Sequence, residues 1–393
     1  LKRNSVTTPQ LPQQAQKLFL EMIDEQFRVY HILREELLTP TATQAYYTIF
    51  PAREKVRKWD NQVPKKTQEV ARYVLPIGTH AHLYHSINTV TLGRYLRLAN
   101  QPDVPTEIKY IVDEMVRLVQ EKSSDLVELL EQSIPQEELL ETKLKREFEK
   151  SQNDTKKWIY EFDQRLGKDR STRLIGYTPQ AITQMAQAIK DSLGIPQEKM
   201  TDQEAIKIIL DSAYNRQRGD TLTLDHNSKL GRVLTIPYFN FLMKLSHTAD
   251  SQEQRQRMSP GTRPVLDEVV SDTPYYITPT LIQVACGPAL EVYQETMDKI
   301  WATRNKLLDL GATKEQANYM LPNALTIRYT ESTNLLNFMV KDKLRECLNA
   351  QEEISRMTLQ QRLDIESVHP ELKEYFGPPC YQRTRASISP RCP

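Results

Sequence analysis

The feature that most constrains the fold is an internal similarity between residues 71–108 and 317–354. The first segment reads ARYVLPIGTHAHLYHSINTVTLGRYLRLANQPDVPTEI, and the second reads ANYMLPNALTIRYTESTNLLNFMVKDKLRECLNAQEEI. Aligned without a gap, they share nine identical residues, at positions 71, 73, 75, 76, 86, 88, 98, 107 and 108 of the first. Two amphipathic helices aligned by chance would explain the leucines but not the shared Leu-Pro, Ser-x-Asn and Glu-Ile. The pattern therefore predicts a tandem duplication.

Periodicity and composition predict a helix-rich α+β protein. The chain has 11 glycines in 393 residues, and long stretches are rich in Leu, Glu, Lys and Gln. Residues 12–38, 107–134 and 287–312 place apolar side chains at helical spacing, and Gly311 is suited to end the last of these helices. Residues 221–239 mix alternating β-favouring residues with turn residues, which predicts a strand there.

Changes in composition predict four segments. Residues 1–134 contain the first copy, and residues 171–365 contain the second. Between them, residues 135–170 are highly charged and weakly patterned, as in a solvated helix or linker. Residues 366–393 form a tail rich in proline and arginine.

The second copy carries a local concentration of arginine in a chain whose net charge is only +1. Residues 251–264, SQEQRQRMSPGTRP, hold Arg255, Arg257 and Arg263, and we call this segment the arginine loop. Because no global field attracts anions to this chain, the loop predicts a local anion site. A solvated helix end paired to Asp250 and Glu253 is the alternative.

The second copy resembles the flavin-dependent thymidylate synthases. The resemblance rests on ANYMLP (317–322), Asn334, Leu344-Arg345 and AQEEI (350–354). The arginine loop precedes them and looks like the family's Arg-His-Arg motif. The segment SHTADSQEQRQRM is most similar to the long, two-repeat members. Two departures stand out: Gln256 takes the place of the motif's histidine, and the segment from Arg257 to Arg263 is shorter than usual.

The resemblance implies two tandem copies of the family's fold and its reaction. That reaction methylates dUMP at C5, with methylenetetrahydrofolate as carbon donor, reduced FAD as hydride source and NADPH as co-substrate. It also implies the following site residues: Arg345 and Arg255 as catalytic; Gln252, Arg257, Arg263 and Arg72 as substrate-binding; His247, Gln256, Asn334 and Asn88 as cofactor-binding. No metal is expected. A non-catalytic relative that binds nucleotide or RNA, or a structural interaction protein, is the alternative.

The two copies differ in which family arginines they retain. Arg72 of the first copy corresponds to Asn318, whereas Arg345 of the second corresponds to Ala99, or to Arg97 with a short gap. The family forms homotetramers with sites between subunits, so the resemblance implies a homodimer that mimics the tetramer, with composite sites. Residues 30–47, YHILREELLTPTATQAYY, are expected to be the first copy's degraded arginine loop.

Other patterns predict less. The sequence contains no apolar run long enough to predict a membrane span. Its start, LKRNSVTTPQ, lacks the apolar run of a secretory signal, so a cytoplasmic protein is expected. His80, His82 and His85 have a spacing that suits zinc, but a hydrogen-bonded cluster is favoured. Cys380 and Cys392 are interpreted as incidental thiols in preference to a metal site. The basic tail is weak evidence for nucleic-acid binding, which is not expected.

Overall fold

The computed structural model describes residues 5–128, 134–148, 150–220, 228–347 and 349–391. We call residues 5–134 the first half and residues 171–365 the second half. The helices up to residue 166 are α1 (Gln13–Ile32), α2 (Thr39–Ile49), α3 (Gln62–Ala71), α4 (Thr89–Ala99), α5 (Thr106–Lys122), α6 (Ser124–Glu128), α7 (Leu140–Glu147) and α8 (Gln152–Leu166). The later helices are α9 (Ala181–Leu193), α10 (Asp202–Leu210), α11 (His247–Glu253), α12 (Leu266–Val269), α13 (Thr280–Ala285), α14 (Gly287–Asp309), α15 (Lys314–Asn318), α16 (Leu335–Arg345), α17 (Glu352–Val368) and α18 (Pro379–Arg385).

One antiparallel sheet lies in the second half. Its strands are β1 (Thr172–Tyr177), β2 (Tyr238–Ser246), β3 (Gly261–Thr262) and β4 (Thr326–Asn334), in the order β1-β2-β4-β3. β2 and β4 pair along their whole length, from Tyr238 opposite Asn334 to Ser246 opposite Thr326. Because helices cover this sheet, β4 is mostly buried and does not alternate strictly. The helix-rich α+β class is confirmed.

The core joins the two halves. Phe19 and Ile23 of α1 pack in the same apolar cluster as Tyr293 and Trp301 of α14, and all four side chains are almost fully buried. The predicted end of α14 is confirmed, because Gly311 follows it in the left-handed region with a φ of 90°. Of the predicted strand at 221–239, residues 221–227 lie outside the described residues, while β2 begins at Tyr238.

Two pairs of helices, one helix of each pair in each half, have the same length and spacing along the chain. α4 and α16 are both 11 residues long, α5 and α17 are both 17 residues long, and each pair is separated by the same shift of 246 positions that relates Asn88 to Asn334. Asn88 and Asn334 cap α4 and α16 in the same way, since each side chain accepts a 2.9 Å hydrogen bond from the backbone three residues on. The gapless sequence alignment is therefore also an alignment of helices.

The two Leu-Pro segments pair with each other, Pro76 opposite Pro322. Main-chain hydrogen bonds join them in reciprocal pairs, so that a bond in one direction has a counterpart in the other. The bonds run from Ile77 to Leu321 (2.8 Å) and from Asn323 to Leu75 (2.8 Å), then from Gly78 to Tyr319 (3.1 Å) and from Ala324 to Tyr73 (2.9 Å). Donors and acceptors exchange under the same shift of 246 positions. The halves are thus related locally by an approximate twofold axis.

The halves nevertheless differ in their elements. Residues 80–88 of the first half form no strand in the structure, although their counterparts form β4. The segment between the long helix and the Leu-Pro pair is also much longer in the first half, where it contains α2 and α3. Among the described residues, the first half contributes helices, turns and two isolated bridges, one between Val6 and Thr79 and one between Pro76 and Pro322 of the second half.

The charged segment 135–170 is not a linker throughout. Its later part forms α8, where Ser151 and Asp154 make a capping box. Phe162 of α8 packs against Leu242 of β2, and Asp163 accepts hydrogen bonds from Arg328 and Lys244 at 2.8–2.9 Å. Its charges therefore serve in part to attach this helix to the sheet.

Candidate anion site between the two halves

The arginine loop begins on a short helix and returns to the sheet. Ser246 caps α11 by accepting a 3.1 Å hydrogen bond from Ala249 N, and the loop then turns back so that Gly261 pairs with Glu331 of β4. A Cβ at Gly261 would lie 2.9 Å from the Tyr329 ring and 2.6 Å from a terminal nitrogen of Arg263. Glycine is therefore required where the loop rejoins the sheet.

Gln351 brings residues of both halves together. Its Oε1 accepts hydrogen bonds from Arg72 Nη2, at 3.2 Å, and from the Gln252 side chain. Its Nε2 donates to the Tyr73 hydroxyl at 2.6 Å. Arg345 Nη2 donates to Gln252 O at 2.9 Å. We call Arg72, Tyr73, Gln252, Arg345 and Gln351 the interhalf cluster.

Two guanidinium groups in this cluster have unused buried donors. Arg72 Nε and Arg345 Nε are shielded from solvent, and neither has a hydrogen-bond partner in the structure. Burial lowers the pKa of Arg345, and Glu253 opposes this effect while Arg255 adds to it. Because a buried unpaired donor is costly, these atoms are suited to a ligand that accepts hydrogen bonds.

A buried ion cluster supports the loop from below. Lys341 forms ion pairs with Glu253 of α11 and Glu331 of β4, and all three side chains are almost fully buried. Burial raises the pKa of Glu253 to about 8, and Glu331 adds to this effect while Lys341 opposes it. Two adjacent carboxylates beside one lysine favour a single proton on the pair. This cluster was not predicted from the sequence.

Arg263 is engaged elsewhere than expected. Its Nε and Nη2 donate to Asp250 at 2.7–2.9 Å, and its guanidinium lies 4.2 Å from the centre of the Tyr329 ring. Burial tends to lower the pKa of Arg263, but the hydrogen bonds to Asp250 raise it overall. Pairing with a nearby carboxylate, the alternative to anion binding, therefore applies to Arg263, because Asp250 already balances its charge.

Arg255 and Arg257 are different, because both are exposed and neither forms an ion pair with a carboxylate in the described residues. Gln256 between them is half-buried and uses its backbone to hold the turn, donating to Glu253 O at 2.9 Å. Arg255 lies close enough to Arg345 to lower the pKa of that guanidinium. The loop thus carries two cations without a carboxylate partner among the described residues, and Arg255 is the one that lies beside the interhalf cluster.

Comparison with known proteins identifies the chain. The family model described as thymidylate synthase complementing protein matches residues 2–123 and 173–371. A flavin-dependent thymidylate synthase of Sulfurisphaera tokodaii is 31% identical over 38% of this chain and 58% of that protein, and one of Saccharolobus solfataricus is 26% identical over 53% of this chain and 78% of that protein. The chain belongs to the flavin-dependent thymidylate synthase family.

A solved structure of a relative has a lower sequence identity to this chain than those two proteins. Thymidylate synthase X of Helicobacter pylori, crystallised with FAD and dUMP, is 18% identical, covers 52% of this chain and 96% of its own, and gives a TM-score of 0.38. The two segments that match the family model lie on either side of residues 124–172. The family match thus falls separately on each half of the duplicated pattern.

The remaining residues implied by the family resemblance lie at the ends of helices. His247 begins α11 and faces a cavity of about 580 Å³ between the halves, together with Asn318 and Tyr319. Burial lowers the pKa of His247, and its Nδ1 is buried without a partner. Asn334 caps α16, and Asn337 next to it donates to Met258 O of the arginine loop at 3.3 Å.

Asn88 is exposed, and no contact in the described residues joins it to the interhalf cluster. The expectation for residues 30–47 is wrong. They span the end of α1, a π-helical turn (Leu33–Leu37) and most of α2. Most of them therefore follow α1, which is the long helix of the first half. The arginine loop instead precedes the long helix α14 of the second half.

The histidine and cysteine patterns give no metal site in the described residues. His80 is hydrogen-bonded to Thr7 at 2.8 Å, and His85 is hydrogen-bonded to Tyr95 at 2.8 Å. Cys380 is a free, exposed thiol, and Cys392 lies outside the described residues. Among the described helices, none is long and apolar enough to cross a membrane.

Proposed function

We propose that this chain methylates dUMP at C5 as a thymidylate synthase, with methylenetetrahydrofolate as carbon donor, reduced FAD as hydride source and NADPH as reductant. The observation that carries the proposal is the interhalf cluster. It places Arg72 of the first half beside Gln252 and Arg345 of the second, and it leaves Arg72 Nε and Arg345 Nε unpaired. These donors suit the oxygen atoms of a nucleoside monophosphate.

The phosphate of dUMP is proposed to bind where cations outnumber carboxylates. Arg72, Arg255 and Arg257 carry positive charge without a carboxylate partner in the described residues, and the Gln252 amide shares an acceptor with Arg72. Arginine suits this role because its guanidinium stays protonated and donates in a plane. Arg263 is a weaker candidate than the resemblance implies, since Asp250 already binds it.

The pyrimidine ring is proposed to lie against Arg345. A half-buried guanidinium whose buried Nε has no partner in the structure would stabilise negative charge on the uracil oxygen, which makes C5 nucleophilic. Its orientation is fixed by the bond to Gln252 O, so it needs no reorganisation during the reaction. This route requires no cysteine nucleophile. The nearby Cys347 is a half-buried free thiol that lines a different, largely apolar cavity of about 340 Å³.

FAD, when bound, supplies the hydride. The residues proposed to hold it are Gln256, Asn334 and His247. The free Nδ1 of His247 fits a polar ligand, and the amide nitrogen of Asn334 is available because its Oδ1 makes the helix cap. Asn88, which the resemblance implies as a first-copy contributor to this site, is not proposed to bind FAD, since no contact in the described residues joins its exposed side chain to the interhalf cluster.

We also propose that the halves arose by duplication and that two chains form a homodimer. The reciprocal Leu-Pro bonds and the matched helix pairs support the duplication. In this arrangement each chain supplies Arg72 from one copy and the arginine loop from the other, so each chain has one complete cluster.

The test combines dUMP calorimetry, flavin absorbance and tritium release from C5-labelled dUMP. Arg72→Ala should weaken dUMP binding by about 1.5–3 kcal/mol, as expected for a lost charge-assisted hydrogen bond. Arg117→Ala is the matched control, because Arg117 is an exposed first-half arginine paired to Glu114. Unchanged dUMP affinity in Arg72→Ala would refute the proposed site. A colourless protein that binds dUMP without releasing tritium would indicate the non-catalytic relative.

A further inference from the structure

Gln351 is a buried amide whose hydrogen bonds all go to groups around the proposed substrate site. It is 3% exposed and immediately precedes α17. Its oxygen has two lone pairs, and both are used, by Arg72 of the first half and by Gln252 of α11. Sequence analysis placed Gln351 within a family motif but gave it no role.

The orientation of this amide is determined by its surroundings. If the amide were turned over, its NH₂ group would face the guanidinium of Arg72 and the amide nitrogen of Gln252. In the observed orientation, Nε2 donates to the Tyr73 hydroxyl, which in turn donates to Glu353. Glu353 is held by Ser246 N and Oγ at 2.7 and 2.6 Å. A chain of buried hydrogen bonds thus fixes the position of one oxygen atom.

That oxygen atom sets the distance between Arg72 and Gln252. The two residues come from different halves, and both bind the same acceptor. Because Gln351 occupies one terminal nitrogen of Arg72, it leaves Arg72 Nε free for a ligand. A neutral acceptor suits this task, since a carboxylate at the same place would neutralise Arg72 and repel a phosphate.

We propose that Gln351 is a positioning residue for dUMP, which aligns Arg72 with Gln252 through its side-chain oxygen. The inference rests on the proposed function. It predicts that Gln351→Leu raises the Kd and KM for dUMP by about tenfold to a hundredfold, the scale of an ångström-sized misplacement of binding groups. Gln351→Glu keeps the acceptor but adds a negative charge, so it should raise both constants at least as much.

The matched control is Gln360→Leu. Gln360 lies on α17, and its Oε1 also accepts two hydrogen bonds, from Ser171 N at 2.9 Å and Thr172 N at 3.3 Å, beside the sheet. Its loss should reduce stability and leave the dUMP constants unchanged. Circular dichroism and flavin content establish that each variant is folded.

The outcomes separate the two proposals. If the wild-type protein does not bind dUMP, the proposed function fails. If the wild type binds dUMP and folded Gln351→Leu keeps its Kd and KM within about twofold, the positioning role is overturned. If Gln351→Leu does not fold, the Kd and KM of Gln351→Glu for dUMP test the positioning role instead. Values within about twofold of wild type would again overturn it. Equal losses in Gln351→Leu and Gln360→Leu would also overturn the role, because they indicate a general structural effect.

Discussion

Arginine side chains in and around the arginine loop differ in what already balances their charge. Arg263 is held by Asp250 and stacks on Tyr329, whereas Arg345 is half-buried with only a backbone acceptor among its described hydrogen bonds. A guanidinium whose partner is a buried carboxylate contributes mainly to the fold. One with unused buried donors is available to a ligand.

Arg263→Ala should therefore destabilise the protein. Asp250 is almost fully buried, and removing Arg263 would leave its carboxylate without its main charged partner. We expect the free energy of unfolding to fall by about 2 kcal/mol, the scale of hydrogen bonds to a charged group. Urea denaturation measures this change. The double variant Arg263→Ala/Asp250→Asn should regain part of the loss, and a double variant no more stable than the single one would contradict this account.

The proton on Glu253 predicts a pH effect on stability. Its pKa is about 8 in the folded protein, raised chiefly by burial from an ordinary value of 4.5. The folded state therefore holds this proton more tightly, and the associated stability is lost as pH rises from about 5 to 8. Glu253→Gln cannot titrate, so its stability relative to wild type should improve over that interval.

Urea midpoints at pH 5.5 and pH 8 test this comparison. Glu346, whose pKa burial also raises to about 8, is present in both proteins, so the difference between them reports on the Glu253–Glu331 pair and the proton that it holds. A constant difference between variant and wild type at the two pH values would show that Glu253 carries no such proton.

Sequence reasoning singled out the members of the interhalf cluster to which a motif assigns a role, and it missed the contacts that form only between distant elements. Gln252 and Arg345 are recognised from motifs, and Arg72 from the family's first Leu-Pro entry. Gln351 and Lys341 become significant only when distant elements meet, since Lys341 lies on α16 and its partners on α11 and β4. The acidic residue Glu253 inside a basic motif was the available signal for the buried cluster.

At the scale of elements, the asparagines that cap α4 and α16 each have one side-chain atom for the helix cap and another for a further partner. In each, Oδ1 accepts from the backbone of the first turn and leaves the amide nitrogen free. The end of α14 before Gly311 was predictable because capping is local. The absence of a strand at 80–88 was not, because β4 forms by pairing with β2 and the same pattern in the first half has no equivalent partner among the described residues.

Asn334→Asp and Asn334→Ala should separate capping from cofactor binding. Aspartate keeps the acceptor for Asn337 N, so Asn334→Asp should unfold near the wild-type urea midpoint, whereas Asn334→Ala should lose about 1 kcal/mol. If the amide nitrogen contacts FAD, both variants should retain less flavin after gel filtration. Flavin content equal to wild type in Asn334→Asp would remove Asn334 from the proposed cofactor site. Asn88→Asp, at the exposed counterpart, is the control.

At the scale of the whole molecule, the approximate twofold axis explains why one chain assembles a cluster from both halves. The shared Leu-Pro segments lie at the axis, so positions shortly before them, such as Arg72, are directed toward the opposite half. The sequence predicted a repeat whose two segments pair in the structure. It did not predict how the two halves differ, because the arginine loop and the α2–α3 segment each lie in one half only.

The difference between the halves leaves apolar side chains exposed on the first half. Val90, Ile108 and Ile111 are 65%, 40% and 48% exposed, whereas their counterparts Leu336, Ile354 and Met357 are at most 2% exposed. In the second half, the sheet and its flanking turns cover these positions. Val90 and Ile111 lie on two helices that contact each other, whereas Ile108 lines the cavity between the halves. Exposed apolar side chains on neighbouring helices are typical of a protein interface. We therefore place the proposed homodimer contact on α4 and α5.

Ile111→Glu tests this placement without touching the core. A charge at the centre of an apolar contact is costly to bury, so the variant should sediment as a monomer of 45.7 kDa under conditions where the wild type is a dimer. Leu363→Glu, on the exposed surface of the corresponding helix α17, should remain dimeric. Because each chain holds a complete interhalf cluster, the monomeric variant should still bind dUMP. A dimeric Ile111→Glu would place the contact elsewhere, and loss of dUMP binding on dissociation would mean that the site extends across two chains.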